Sequence, residues 1–427
     1  MTLAATFLGG AKSRLLPASV PFRFFGVAAL SHVIMWIVVL VNAADIMRFR
    51  GGLGPALAAV HLLTLGVLAT SAIGASVQLL PVATRRAMSA VWPIKLVFWL
   101  TVPGLTVLVA GMYAMHIAAF VVGAVATTLG LLVFAILLAD NLRRSASLAV
   151  VGTYAWIALL ALVALLALGL LLVVDYEVGW LRNHEFVALA HLILGGYGFM
   201  GMLVLGFSHI LIPMFTLAPA PARAASAPAM ACAVGAFACG VVGAFAGSRG
   251  ILTMAAAIGL VACALHRRIM VQALKRGLRK RLGISFVLVR AAWVMLPATL
   301  LVGLAALYDA AGPNGPTLFG LLLFGGWLLT YLLGILQRIV PFLASMNATR
   351  TTAGEPLPPS ELADPRALDL HAGCHCLAII GLAVAIGFDN EIVMRIASAV
   401  GLVGATAYAW FVFLVMRRLF VPSLAGG

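Results

Sequence analysis

Twelve uninterrupted apolar runs partition this sequence, with few charged residues inside them. They lie near 24–44, 54–81, 94–112, 115–139, 148–174, 186–215, 228–247, 250–266, 283–308, 317–344, 369–387 and 393–416. Each is long enough to cross a hydrocarbon layer about 30 Å thick as an α-helix. None shows the strict alternation of a membrane β-strand. Backbone in lipid must satisfy its own polar groups, which a continuous helix does. Composition excludes a water-soluble fold: 64% of the 427 residues are hydrophobic and 9% charged, against roughly 25% charged in soluble proteins. The sequence thus predicts an all-α polytopic membrane protein, one transmembrane domain over residues 1–427. The weakest division falls between helices 3 and 4, where only Tyr113 and His116 mark a turn. Met1 to Val20 has no long apolar core followed by a small-residue cleavage site, so no cleavable signal peptide is expected. Cys232, Cys239 and Cys263 sit within apolar runs, and Cys374 and Cys376 near the start of another, unlike a secreted disulfide framework.

The net charge of +15 records orientation. With the N-terminus in the cytoplasm, the inner segments hold Lys12, Arg14, Arg23, Arg85, Arg86, Lys95, Arg143, Arg144 and Arg223. They also hold the basic run from Arg267 to Arg281, then Arg350, Arg366, Arg417 and Arg418. The outer segments carry only Arg48, Arg50, Arg182, Arg249 and Arg395, beside acids such as Asp175, Glu177, Asp309 and Asp389. This positive-inside bias places both termini in the cytoplasm of a bacterial inner membrane. The run at 267–281 beside a bilayer reads as topology and anionic-lipid contact, not nucleic-acid binding.

No carboxylate falls mid-helix, which counts against a proton-coupled carrier and a proton pump. Paired catalytic carboxylates, a P-loop and a nucleophile elbow are all missing from the sequence. Arg290 and Arg338 lie near inner helix ends, where they can snorkel or, if heme is present, meet a propionate.

One pattern recurs: a Gly, a second Gly eight residues on, and a Pro seven residues later. It is Gly66, Gly74 and Pro81 in helix 2, Gly198, Gly206 and Pro213 in helix 6, and Gly326, Gly334 and Pro341 in helix 10. The offsets of 132 and 128 residues imply parallel repeats of four helices, about 24–147, 148–282 and 283–416.

Twelve helices in three four-helix arcs resemble the catalytic subunit of the heme-copper oxidase superfamily. The resemblance is closer to its divergent NnrS-like branch, associated with nitric oxide stress. It is carried by HLLTLGVLATSAIGASVQLLPV at 61–82, AHLILGGYGFMGMLVLGFSHILIPMF at 190–215 and GWLLTYLLGILQRIVPFL at 326–343. It implies heme b, copper and a redox or nitric-oxide-related role with electron transfer from a membrane redox partner. It also implies His61 on helix 2 as an axial heme ligand and His191 on helix 6 as a second metal or heme ligand. The oxidase pattern is incomplete, because 228–247 and 317–344 contain no histidine and Tyr197 lies six residues after His191, not four. An oxygen reductase is therefore not expected.

Of the nine histidines, His32, His61, His191 and His209 fall at membrane depth. Each must find a partner there, either a metal or a hydroxyl or carbonyl of a neighbouring helix. His371 and His375, four apart on one helix face with Cys374 and Cys376 beside them, are further metal candidates near the inner interface. His116, His184 and His266 read as surface residues at helix ends. The glycines at 195, 196, 198 and 201 would admit either a neighbouring helix or a flat macrocycle. Two other functions fit the same pattern: a cofactor-free transporter or permease using the repeat interface, and a fold-retaining assembly or scaffold subunit.

Overall fold

The computed structural model describes residues 14–145, 149–351 and 358–420; Lys12, one of the inner-face cations, lies outside them. The described residues form twelve helices long and apolar enough to span a membrane. These are α1 Ser19–Val41, α2 Pro55–Thr84, α3 Trp92–Tyr113, α4 Ile117–Arg143, α5 Val150–Val178 and α6 His184–Thr216. They continue with α7 Arg223–Phe245, α8 Arg249–Arg276, α9 Gly283–Leu307, α10 Gly315–Asn347, α11 Pro365–Phe388 and α12 Glu391–Phe420. Every expected run is a helix. The largest difference is at the end of α8, which runs on to Arg276 because His266, Ile269, Met270 and Ala273 continue its buried face. Large apolar side chains such as Leu160, Phe388 and Ile392 point outward at 68%, 80% and 72% exposure. That surface suits contact with lipid, not water.

The turn between α3 and α4 is as short as the sequence suggests. Met115 takes a left-handed backbone with φ 53°, and the His116 ring accepts the Ala119 N–H at 3.2 Å to start α4. The two helices then pack almost backbone to backbone through Gly104, Gly111, Gly123 and Gly130. The pairs α3–α4, α7–α8 and α11–α12 make the most extensive helix contacts in the molecule. Each pair follows one of the helices that carry the Gly–Gly–Pro pattern.

Those three helices form the centre. In α2, α6 and α10, 67% of the apolar window is buried, against at most 50% in any other span. Each also contains a π-helical stretch, Leu62–Ala69, Leu194–Gly201 and Leu321–Leu329. The stretch in α10 touches the other two. Thr70 donates its hydroxyl to Leu65 O at 2.7 Å and Thr330 to Gly325 O at 2.9 Å, carbonyls that also accept the backbone N–H of the same threonine. Met202 stands at the corresponding place in α6. Pro81, Pro213 and Pro341 are all accommodated inside their helices. In α2 and α6 the chain leaves the helix through a left-handed residue four positions later, Arg85 and Leu217.

Thr330 is the more consequential of the two threonines, because its oxygen also meets His375 Nε2 at 2.7 Å. Thr330→Val keeps the shape and leaves the buried His375 Nε2 without its partner, so it is expected to cost about 1–3 kcal/mol. Thermal unfolding in detergent would show a fall in the midpoint beyond that of Thr70→Val.

On the face opposite the termini, Arg48 clamps Asp389 with two hydrogen bonds of 2.9 and 3.0 Å. This holds the Asp389 carboxyl below the usual carboxylate range, mainly through the Arg48 hydrogen bond. A lowered carboxyl pKa contributes stability above the unfolded value, and that contribution fades as pH falls through the folded value. The pair is exposed, so the effect is small. Asp389→Asn should flatten the decline of the thermal midpoint below about pH 4.

Candidate cofactor site

The histidines named from the sequence gather in three places. His61 lies six residues into α2 and His191 seven into α6, which sets both about 9–11 Å along their helices from the face opposite the termini. The two rings are within electrostatic range of each other. His61 Nδ1 is 3.0 Å from the Leu57 carbonyl. A carbonyl only accepts, so Nδ1 carries the proton and Nε2 presents a free lone pair. Among the described residues Nε2 has no hydrogen-bond partner, and it is not fully enclosed. His191 Nδ1 is buried and makes no hydrogen bond of good geometry. Gly169 makes room for that ring, since a Cβ there would stand 3.1 Å from His191 Cε1. The π stretches begin one residue after His61 and three after His191, so both ligand candidates sit at the entrance to an irregular backbone segment.

The second group joins α1, α10, α11 and α12. His32, His371 and His375 are 1%, 0% and 2% exposed. The face of α11 that carries His371 and His375 is turned inward against α1, α10 and α12. Ring centroids are 6.1 Å apart for His32–His371 and 5.9 Å for His371–His375, with Tyr408 5.0 Å from His371. Hydrogen bonding again fixes the protons. Trp36 can only donate, and its Nε1 lies 3.1 Å from His32 Nε2, so His32 carries its proton on Nδ1. His371 Nδ1 donates to Gly404 O at 3.0 Å, leaving Nε2 bare. Thr330 spends its one proton on Gly325 O, so His375 donates from Nε2 and its Nδ1 is bare. Both bare nitrogens are buried without a partner. Cys374 and Cys376 are half-buried free thiols on the adjoining faces.

The third group pairs His209 of α6 with His266 of α8, ring centroids 5.6 Å apart. His266 is 5% exposed, not a surface residue. The longer α8 explains the difference, because it carries His266 inside the bundle. His209 Nδ1 donates to Leu205 O at 2.9 Å and its Nε2 has no partner. His116 and His184 do remain at helix ends, the latter 2.6 Å from Asp175.

The glycines of α6 serve helix packing. A Cβ on Gly198 would come within 2.7 Å of Ala161 and Phe237, and one on Gly196 within 3.0 Å of Leu323. Arg338 bonds Ser285 Oγ at 2.7 Å and also the Leu282 carbonyl, so it fastens α10 to the start of α9. Arg290 is exposed beside the basic run. Among the described residues, no group of three or more His, Cys, Asp or Glu is arranged to hold a metal ion. Heme asks less of the protein, one or two imidazoles with bare nitrogens, and His61 Nε2 is one such nitrogen.

The fold and these buried imidazoles define a multi-pass, all-α membrane protein with histidines in its core. No family model matches the sequence, and no curated protein matches it either.

Proposed function

We propose that this chain is a heme-binding protein of the bacterial inner membrane, with an oxidase-subunit-I-like arrangement and a redox or nitric-oxide-related role of the NnrS-like kind. The observation that carries this reading is the state of His61: its proton is fixed on Nδ1 by the Leu57 carbonyl, which leaves a lone pair on Nε2, and the His191 ring is within electrostatic range. An axial heme ligand needs that tautomer, because the hydrogen bond on the far nitrogen orients the ring and raises its basicity. His191 would be the second residue to hold the heme. Bound heme would supply an iron that cycles between two oxidation states and accepts a diatomic gas. The protein's own part is to orient the ligand rings, exclude water and hold the site in apolar surroundings.

For copper, the best donors are His371 Nε2 and His375 Nδ1, since soft and borderline metals accept neutral imidazole. His209 Nε2 is a further free nitrogen, whereas His32 has Nε2 engaged by Trp36. The bias of Lys and Arg supports cytoplasmic termini, so His61 and His191 lie toward the outer face. A membrane redox partner would then meet the protein on the outer side or within the lipid.

The test is a reduced-minus-oxidised optical spectrum of protein purified from cells with ample heme. A Soret band that shifts on addition of dithionite is expected. Folded protein with no band in either state would overturn the reading.

A further inference from the structure

We infer that the basic groove between α8 and α9, at the end of the bundle that carries the chain termini, is a binding site for one anionic phospholipid. The groove has a volume of about 530 Å³ and is open to the surface. Arg267 and Lys275, eight residues apart, line it from one face of α8. Arg290 and Val294, four apart, line it from one face of α9. Arg279 and Lys280 reach it from the segment that joins the two helices. A general attraction of the run at 267–281 for anionic lipid is legible in the sequence. The structure adds Arg290 from outside that run and sets five cations around one space.

Loops rich in Lys and Arg are ordinary on the inner side of a membrane protein, but two of these cations stand on helices. Arg267 lies nine residues before the end of α8 at Arg276, and Arg290 seven residues after the start of α9 at Gly283. That is about 14 and 11 Å along their helices from the same end, so the two are nearly level. The 28 residues of α8 span about 42 Å, more than a hydrocarbon layer of about 30 Å, which puts its last turns at head-group depth. Both arginines are exposed near that boundary, where a charge needs a partner. Among the described residues Arg267, Lys275, Arg279 and Arg290 form no ion pair, and no carboxylate lines the groove. Arg338 is within electrostatic range of Arg279 and adds to the positive charge. The joining segment is fixed in place: the Arg279 N–H donates to Thr216 O at 3.0 Å, and Lys280 Nζ to Lys275 O at 2.8 Å. Gly277 permits this approach, since a Cβ there would stand 2.7 Å from Thr216 O. The crowding of cations is therefore built into the fold, and an anion relieves it.

A phosphodiester suits this place. Guanidinium groups bind phosphate oxygens through paired hydrogen bonds, and basic pockets between membrane helices on the cytoplasmic side take such head groups. The phosphate lies between Arg267 and Arg290. Lys275 and Lys280 meet the rest of the head group, where their charge repels the ammonium of a zwitterionic lipid and favours an anionic one. Farther into the bilayer along α9, Val294 and Leu301 are seven residues apart and 53% and 55% exposed. They offer an acyl chain an apolar strip that soluble phosphate cannot use. This inference rests on the groove and its cations, not on the heme reading.

The experiment is a titration of the full chain in neutral detergent with phosphatidylglycerol, the bound lipid being counted by native mass spectrometry. One tightly held lipid per chain is expected, and phosphatidylcholine with the same acyl chains should bind at least about tenfold more weakly. Arg267→Gln combined with Arg290→Gln should weaken the tight site by about thirtyfold, the loss of two head-group charges. Both side chains are exposed, so the fold should survive, and thermal unfolding of the same samples checks this. Arg143→Gln combined with Arg366→Gln removes the same charge from exposed positions outside the groove and should leave the tight site as it is. Equal loss in the two double variants would overturn the inference, because the attraction would then be diffuse. Equal binding of phosphatidylcholine would overturn it as well. Full displacement of the lipid by inorganic phosphate at constant ionic strength would also do so, and would leave a site for a soluble anion. Heme content measured on the same samples is a separate readout, so the two readings fail independently.

Discussion

His61→Ala is expected to lower heme affinity by more than about a hundredfold. Loss of a group that merely supports a ligand costs 10–100-fold in metal binding, and loss of the ligand itself lies at or beyond the top of that range. Among the described residues no other imidazole stands in for it. His191 is the ring within electrostatic range, and its own position is fixed against Gly169. The expected spectrum is that of a chain without a Soret band at a protein concentration where the wild type is saturated. His191→Ala should behave differently: it retains the heme and changes the coordination of the iron, seen as a shifted band. His116→Ala touches only an exposed helix cap and should leave the spectrum as it is. Gel filtration and thermal unfolding on the same samples separate loss of ligand from loss of fold. If His61→Ala keeps a wild-type spectrum, heme is held elsewhere or not by this histidine.

Gly123→Val should prevent the α3–α4 hairpin from closing. A Cβ at Gly123 would lie 2.1 Å from the Leu108 backbone nitrogen and 2.4 Å from its Cα. The obstacle is backbone, so no rotamer change relieves it, and the two helices must move apart along their length. Overpacking usually costs about 1–3 kcal/mol, and an overlap with backbone exceeds that range. Loss of close packing also removes the main attraction between helices in lipid. The expected outcome is a sharp fall in the yield of monodisperse protein and in the thermal midpoint. Gly250→Val, where a Cβ meets nothing closer than 4.0 Å, should be nearly silent. A Gly123→Val chain as stable as the wild type would mean that this hairpin is looser than the structure shows.

The helices were legible because almost every apolar run is bounded by charges, Pro or Gly, and only the α3–α4 turn, marked by Tyr113 and His116, lacks such a boundary. The Gly–Gly–Pro spacing also pointed to α2, α6 and α10, the three most buried spans. The π turns within them were not legible. A membrane-buried helix is apolar on every side, so an inserted residue shifts no polar–apolar boundary that a reader could detect. The same lack of contrast hid the direction of α11. Nothing around His371 and His375 distinguishes a face turned to α1 and α12 from one turned to the interface. His266 reads as a surface residue in the sequence because Arg267 and Arg268 follow it directly, and paired charges commonly end a membrane helix. The next apolar positions, Ile269, Met270 and Ala273, keep its helical spacing and were the available signal. That His61 and His191 come within electrostatic range could not be read from sequence, since it depends on how α2 and α6 are rotated toward each other.

Heme and iron determined per chain, on monodisperse protein purified after growth with ample heme, is the most direct measurement. One heme for each chain, with iron in equal amount, is the expected result. Folded protein free of both, which also fails to take up added heme, would contradict a heme-binding role for His61 and His191.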